Sequence, residues 1–218
     1  MGKIALKRHA MPAATLGAWL TTALACGAPA RPGAEPGLAL GLGLLAVHWV
    51  VEWRGISGSF EDRVPRHVVV TTSRAVWLAG LVLSTADAGC LHWTPWQGPP
   101  VWMMGLMIGL AGVLLRLWSM RTLSGAFSYD LKVSAGQSLV RAGPYRLLRH
   151  PSYTGMLLWS GGLGLWNPSW MGLVLLIAGT LPQLVYRIGV EEQMLEAHFG
   201  EAWRQHARET ARLVPFVW

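Results

Sequence analysis

Arginine, histidine, tyrosine and proline crowd into Arg141-Ala-Gly-Pro-Tyr-Arg-Leu-Leu-Arg-His-Pro-Ser-Tyr-Thr-Gly155, a stretch set between two membrane-like apolar runs. A pure anchor has no use for Arg141, Arg146, Arg149 and His150 beside Tyr145 and Tyr153. Further along, Arg187 precedes the pair Glu191-Glu192 where another apolar run stops. A basic, aromatic cluster and an acidic pair at two helix ends suit a pocket for a zwitterionic cofactor at the membrane surface.

His150-Pro151 reads as a helix start, because proline at the first helical position loses no hydrogen bond. His150 then caps the helix, and the free N–H groups of Ser152, Tyr153 and Thr154 form a natural anion site. Arg146 and Arg149 reinforce that charge. Gly143-Pro144 is a turn signal ahead of Tyr145, and Gly155 permits close backbone approach. Tyr145 and Tyr153 could face a cationic ligand such as a sulfonium. Arg187 and Glu191 share a helix face, whereas Glu192 points elsewhere; one carboxylate could hold ribose hydroxyls or an α-amino group while Arg187 receives a substrate anion. Plainer readings exist for each group: arginines as membrane anchors, tyrosines and His150 as interfacial residues, Arg187–Glu191 as an ordinary ion pair. No HExxH, GxSxG, P-loop or dinucleotide fingerprint is present. His48, Glu52 and Arg54 read as interfacial.

The elements that must position these groups are helical and apolar. The chain has 218 residues, 52% hydrophobic and only 13% charged, against about 25% charged in soluble domains. Its net charge of +7 is spread over loops between apolar runs, a pattern of membrane orientation and anionic headgroups rather than of nucleic-acid binding. Six apolar segments stand out, at about 11–28, 38–53, 74–91, 99–121, 152–166 and 169–188. The expected fold is all-α and polytopic, with five or six transmembrane helices. Asn167-Pro168 separates the last two segments, so they should form a helical hairpin. Basic residues alternate between connections in a way that places both termini on the cytoplasmic side. Trp93, Trp96, Trp166 and Trp170 fit an aromatic belt. Segment 11–28 reads as a first spanning helix in preference to a signal peptide. Cys26 and Cys90 read as small buried apolar residues in preference to a disulfide. After Glu192 the pattern turns amphipathic, with Met194, Leu195, Phe199 and Trp203 among charged residues. This predicts a cytoplasmic helix lying on the membrane or folding back over the hairpin, before an apolar plug at 213–218. The whole is a single membrane domain, with N-terminal helices over 1–122 and a site-bearing part over 123–218.

The motifs Leu139-Val-Arg-Ala-Gly-Pro-Tyr145, Arg149-His-Pro-Ser-Tyr-Thr-Gly155, Glu191-Glu192 and Phe199-Gly200, with Pro215-Phe216 near the end, resemble those of the isoprenylcysteine carboxyl methyltransferases and related phospholipid methyltransferases. The resemblance runs from about Leu123 to Pro215 and implies a multi-helix membrane enzyme that uses S-adenosylmethionine. It implies cofactor contacts at Gln137, Leu139, Val140, Gly143, Tyr145, His150, Pro151, Tyr153, Gly155, Glu191 and Glu192, with Arg187 and Glu191 at the chemistry. Many members carry histidine where this chain has Gln137. The implied acceptor is lipophilic or prenylated and enters from the bilayer; the implied location is a bacterial inner membrane. Two other classes fit less of the chain: an NADPH-dependent membrane reductase of the steroid-reductase type, which shares an Arg-His-Pro-x-Tyr element, and a non-enzymatic membrane protein. Neither requires the acidic pair.

Overall fold

The computed structural model describes residues 66–95, 99–123, 138–167 and 169–215. The expected segments 11–28 and 38–53, with Cys26, Gln137, Trp96, His48, Glu52 and Arg54, lie outside them. Among the described residues five α-helices follow in order: α1 (Arg66–Ala86), α2 (Pro99–Leu123), α3 (Pro151–Trp166), α4 (Trp170–Phe199) and α5 (Glu201–Glu209). A π-helical turn, Asp87–Leu91, extends α1, and a 3-10 turn, Gly143–Arg146, precedes α3. No strand occurs among the described residues.

Two helices, α2 with 25 residues and α4 with 30, are long and apolar enough to cross a membrane. At 1.5 Å per residue, α4 runs about 45 Å, well past a hydrocarbon core of about 30 Å. Its apolar pattern fades near residue 188, yet the helix continues to Phe199. Glu191 and Glu192 therefore lie inside a continuous helix rather than at its end. No proline or glycine interrupts residues 190–199, so nothing in the backbone stops the helix before Gly200, which takes φ +53°. Along its length α2 turns Met103, Met107, Leu110, Leu114 and Trp118 outward, an apolar stripe that suits lipid.

Glycines set how the helices meet. A Cβ built at Gly112 would lie 2.6 Å from the Gly155 carbonyl, and one at Gly105 would fall among Leu165 and Trp166. Thus α2 and α3 run antiparallel at backbone contact. Likewise Gly172 meets Ser84, Gly80 meets Leu175 and Leu176, and Gly179 meets Ser73 and Trp77, so α1 and α4 form a second antiparallel pair. Small residues serve this role in membranes because lipid supplies no hydrophobic drive for association. Leu81, Val113, Trp159, Leu163, Trp166 and Leu176 fill the space between the pairs. Trp166 is thus a core residue, 8% exposed, rather than part of an aromatic belt; Trp93 and Trp170 are exposed.

The end carrying the α3–α4 turn is closed by polar contacts. The buried Asp87 carboxylate accepts from Trp93 N at 2.7 Å and from Thr94 Oγ1 at 2.5 Å. Trp170 N donates to Thr94 Oγ1 at 3.3 Å, and Ser84 Oγ donates to Asn167 O at 2.9 Å. Near this end Cys90 is exposed and disulfide-bonded. The expectation of a buried thiol fails because the π-turn carries Cys90 out of the packed helix face.

Candidate functional site

The opposite end of the hairpin gathers the chemistry. Proline occupies the first position of α3 and His150 its N-cap. Tyr153 N and Thr154 N both donate to His150 O, at 3.0 and 3.1 Å. The expected anion site therefore does not form as a set of free N–H groups, since two of the three expected donors close onto the cap carbonyl.

What faces this turn is acidic. His150 is 4% exposed, and its Nε2 lies 3.3 Å from Glu192 Oε1 while Nδ1 lies 3.7 Å from Glu191 Oε2. Adjacent residues on a helix diverge by about 100°, so α4 presents its two carboxylates to opposite edges of one imidazole. Tyr153 stacks on His150 at 5.5 Å and 12°. Its hydroxyl donates to Glu191 Oε2 at 2.8 Å and accepts from Arg187 Nε at 2.7 Å. Arg187 also sits 5.9 Å from the Tyr153 ring centroid. Arg187 and Glu191 thus meet on the phenol.

The two carboxylates differ. Glu192 is held by Arg149 at 3.4 Å, His150 at 3.3 Å and Arg212 at 2.9 Å, with its side chain 13% exposed. Its lone pairs are committed, which makes it a hub for three cationic or polar side chains. Glu191 has 33% of its side chain exposed and retains acceptor capacity for an ammonium or hydroxyl.

Arg212 escaped the sequence reading. After α5 the chain returns so that Arg149 N donates to Ala211 O at 2.8 Å, His150 N to Arg212 O at 3.1 Å and Ala211 N to Leu147 O at 3.1 Å. Thr154 Oγ1 donates to Leu213 O at 2.7 Å, and Leu213 is buried. This strap clamps the His150 backbone and Glu192 together. An arginine just before an apolar tail was the available signal.

The remaining expected site residues are spread around this centre. Tyr145 is buried; burial, then the Glu191 carboxylate, pushes its phenol above the usual range, with Arg116 opposing. Leu139 and Val140 are half-buried. Gly143 has φ +57° and packs on Thr122, which only glycine allows without strain. Pro151 is buried. Gly155 faces the α2 backbone. Arg146 is exposed, and Arg141 reaches Ala202 O at 2.5 Å. Among the described residues no cluster of histidine, cysteine and carboxylates could hold a metal.

The chain is similar in sequence and in fold to known proteins. The phospholipid methyltransferase family matches residues 101–202, so the resemblance begins within α2, earlier than the motifs alone suggested. Protein-S-isoprenylcysteine O-methyltransferase A of Arabidopsis thaliana is 34% identical over 117 residues, 52% of this chain and 58% of that protein. The chain thus spans little more than half of that relative's length. The cobalt-zinc-cadmium resistance protein CzcN of Cupriavidus metallidurans is 28% identical over 165 residues, 74% of this chain and 69% of that protein. Among solved structures, the eukaryotic intramembrane Ras methyltransferase ICMT (isoprenylcysteine carboxyl methyltransferase) matches with a TM-score of 0.58 at 21% identity, over 96% of this chain and 75% of that one. That likeness establishes the fold. In sequence, residues 101–202 are similar to the phospholipid methyltransferases.

Proposed function

We propose that this protein is an integral membrane methyltransferase that uses S-adenosylmethionine and methylates a lipophilic acceptor such as an isoprenylcysteine carboxylate. The observation that carries the reading is the Tyr153 hydroxyl, bridged between Arg187 and Glu191 beside a stacked imidazole. This arrangement offers both signs of charge and an aromatic face within a few ångströms, as a zwitterionic sulfonium requires. The cofactor would supply an electrophilic methyl group, so no strong base is needed for a carboxylate acceptor. Glu191 accepts from an amino or ribose hydroxyl group, Glu192 keeps Arg149, His150 and Arg212 in place, and Arg187 orients the acceptor's anion. Leu139, Val140, Tyr145 and Pro151 flank this centre, and Gly143 and Gly155 let their backbones pack against α2. A phosphate-rich nicotinamide cofactor fits less well, because Arg149 is committed to Glu192 and the group left open beside Tyr153 is the Glu191 carboxylate.

The same reading places both termini and the site on the cytoplasmic side. Two observations support this: the alternation of basic loops, and the Cys90 disulfide near the other end, since disulfides persist in oxidising compartments. The acceptor enters between helices from the bilayer.

Calorimetry on detergent-purified protein tests the assignment. S-adenosylhomocysteine should bind at micromolar concentration, and His150→Ala should abolish the signal. Binding of NADPH alone would transfer the protein to the reductases.

A further inference from the structure

A guanidinium lies well inside the bundle. Arg116 is 6% exposed and sits seven residues before the end of α2, about 10 Å along the helix axis at 1.5 Å per residue. Ionisable side chains at such depth in spanning helices are costly and seldom incidental. Three contacts define its place. Its Nη1 donates to Ser152 Oγ at 2.8 Å, both residues being buried. A Cβ built at Gly155 would lie 3.0 Å from Arg116 N and 3.1 Å from Arg116 Cβ, so the first turn of α3 rests directly on this residue. Tyr145 feels the charges of both Arg116 and Glu191, which puts Arg116 within electrostatic range of the site.

Resting on the methyltransferase reading above, we infer that Arg116 is a positioning residue for the reaction, acting through Ser152 on the neighbouring Tyr153 and so on the Arg187–Glu191 pair. Ser152 and Tyr153 are consecutive in the first turn of α3, where few intrahelical bonds resist fraying. A hydrogen bond from a charged donor anchored in α2 fixes the rotation of that turn. The Tyr153 phenol must span a gap of less than 3 Å on each side, and ångström-scale misplacement of such groups can reduce turnover by as much as about 100-fold. The glycines at 112 and 155 are what let the two backbones approach closely enough for this support. Arg116 touches neither the cofactor nor the acceptor in this role.

The test uses the full chain in detergent, with Arg116→Gln, Arg116→Lys, Ser152→Ala and the Arg116→Gln/Ser152→Ala double variant. The measurements are calorimetric binding of S-adenosylhomocysteine, turnover of N-acetyl-S-farnesylcysteine with radiolabelled methyl donor, and hydrogen exchange without cofactor. Arg116→Gln and Ser152→Ala should each lower kcat on the order of 10-fold, with S-adenosylhomocysteine affinity held within about twofold. The double variant should be no worse than the poorer single one, because the pair acts as a unit. Arg116→Lys, which keeps the charge and a donor, should recover part of the loss. In cofactor-free protein, amides 152–156 should exchange faster in both single variants while those of α4 are unchanged. Wild-type turnover in folded Arg116→Gln, or strictly additive losses, overturns the inference. If Arg116→Gln does not fold, Ser152→Ala decides alone, and unchanged kcat and exchange there overturn it. Wild-type protein that fails to bind S-adenosylhomocysteine would defeat the functional reading, and this inference with it. Binding and turnover intact in wild type and every variant would defeat only the inference.

Discussion

At the scale of single residues, two adjacent glutamates of one helix have been given different work by what surrounds them. Glu192 is the hub of Arg149, His150 and Arg212, whereas Glu191 touches Tyr153 and keeps a third of its side chain open. Glu191→Gln should therefore weaken S-adenosylhomocysteine binding on the order of 10-fold or more, the usual cost of losing a charged hydrogen bond, with little change in thermal stability. Glu192→Gln should do the reverse first: neutralising it leaves Arg149 and Arg212 without their shared anion and should cost about 2 kcal/mol of stability in denaturant titration. Equal effects of the two variants on binding and stability would refute this division. Tyr153→Phe keeps the stack on His150 but removes the bridge between Arg187 and Glu191. Turnover should fall more than tenfold while the cofactor product still binds.

At the scale of elements, glycine positions that look alike in sequence are not alike in the fold. Gly155 and Gly189 both lie within helices, yet a Cβ at Gly155 meets the Gly112 carbonyl at 2.6 Å and one at Gly189 meets nothing within 4 Å. Gly155→Ala must push α2 and α3 apart, at a cost of about 1–3 kcal/mol. Gly189→Ala should be neutral or stabilising by up to about 1 kcal/mol, from helix propensity. Thermal unfolding of the pair in one detergent reads the contrast directly. The interior also carries a polar chain across three helices: Trp77 Nε1 donates to Ser160 Oγ at 3.3 Å, and Ser160 lies 2.7 Å from Thr180 Oγ1. Such bonds register helices against one another, each worth about 1 kcal/mol in lipid.

For the whole molecule, the site end and the turn end of the bundle should respond to different conditions. His206, beside Trp203 on the buried face of α5, is 3% exposed. Burial, then Arg141, holds its imidazole below the ordinary 6.5, with Arg149 and His150 adding to the effect and Glu209 opposing it. The unfolded chain therefore takes up a proton that the folded chain resists, and stability should decline as pH falls below about 6.5. His206→Gln should flatten that slope; an unchanged slope would show that other groups set it. Reduction acts at the other end. Breaking the Cys90 disulfide should lower the unfolding temperature, since such bonds contribute about 2–4 kcal/mol, yet leave S-adenosylhomocysteine affinity unaltered.

Composition, apolar runs and turn signals were enough to specify helices near 74–91, 99–121, 152–166 and 169–188, the hairpin turn and the His150 cap, because each depends on local periodicity or on the chemistry of one dipeptide. The same local reasoning stopped α4 too early, since hydropathy marks where a helix meets water and not where its hydrogen bonds end. It also placed Trp166 at an interface and Cys90 in a core, both matters of which way a helix face turns once packed. Arg212 lies 20 residues beyond Glu192 and Arg116 lies 36 before Ser152, and no local signal couples positions so far apart. Sequence by itself determined which residue types arrive at the end of the hairpin. Only the packing of α4 against the start of α3, and the return of the strap, decided which carboxylate is sealed among cations and which remains open to a ligand, because burial and pairing belong to the folded surroundings of a side chain and not to its place in the chain.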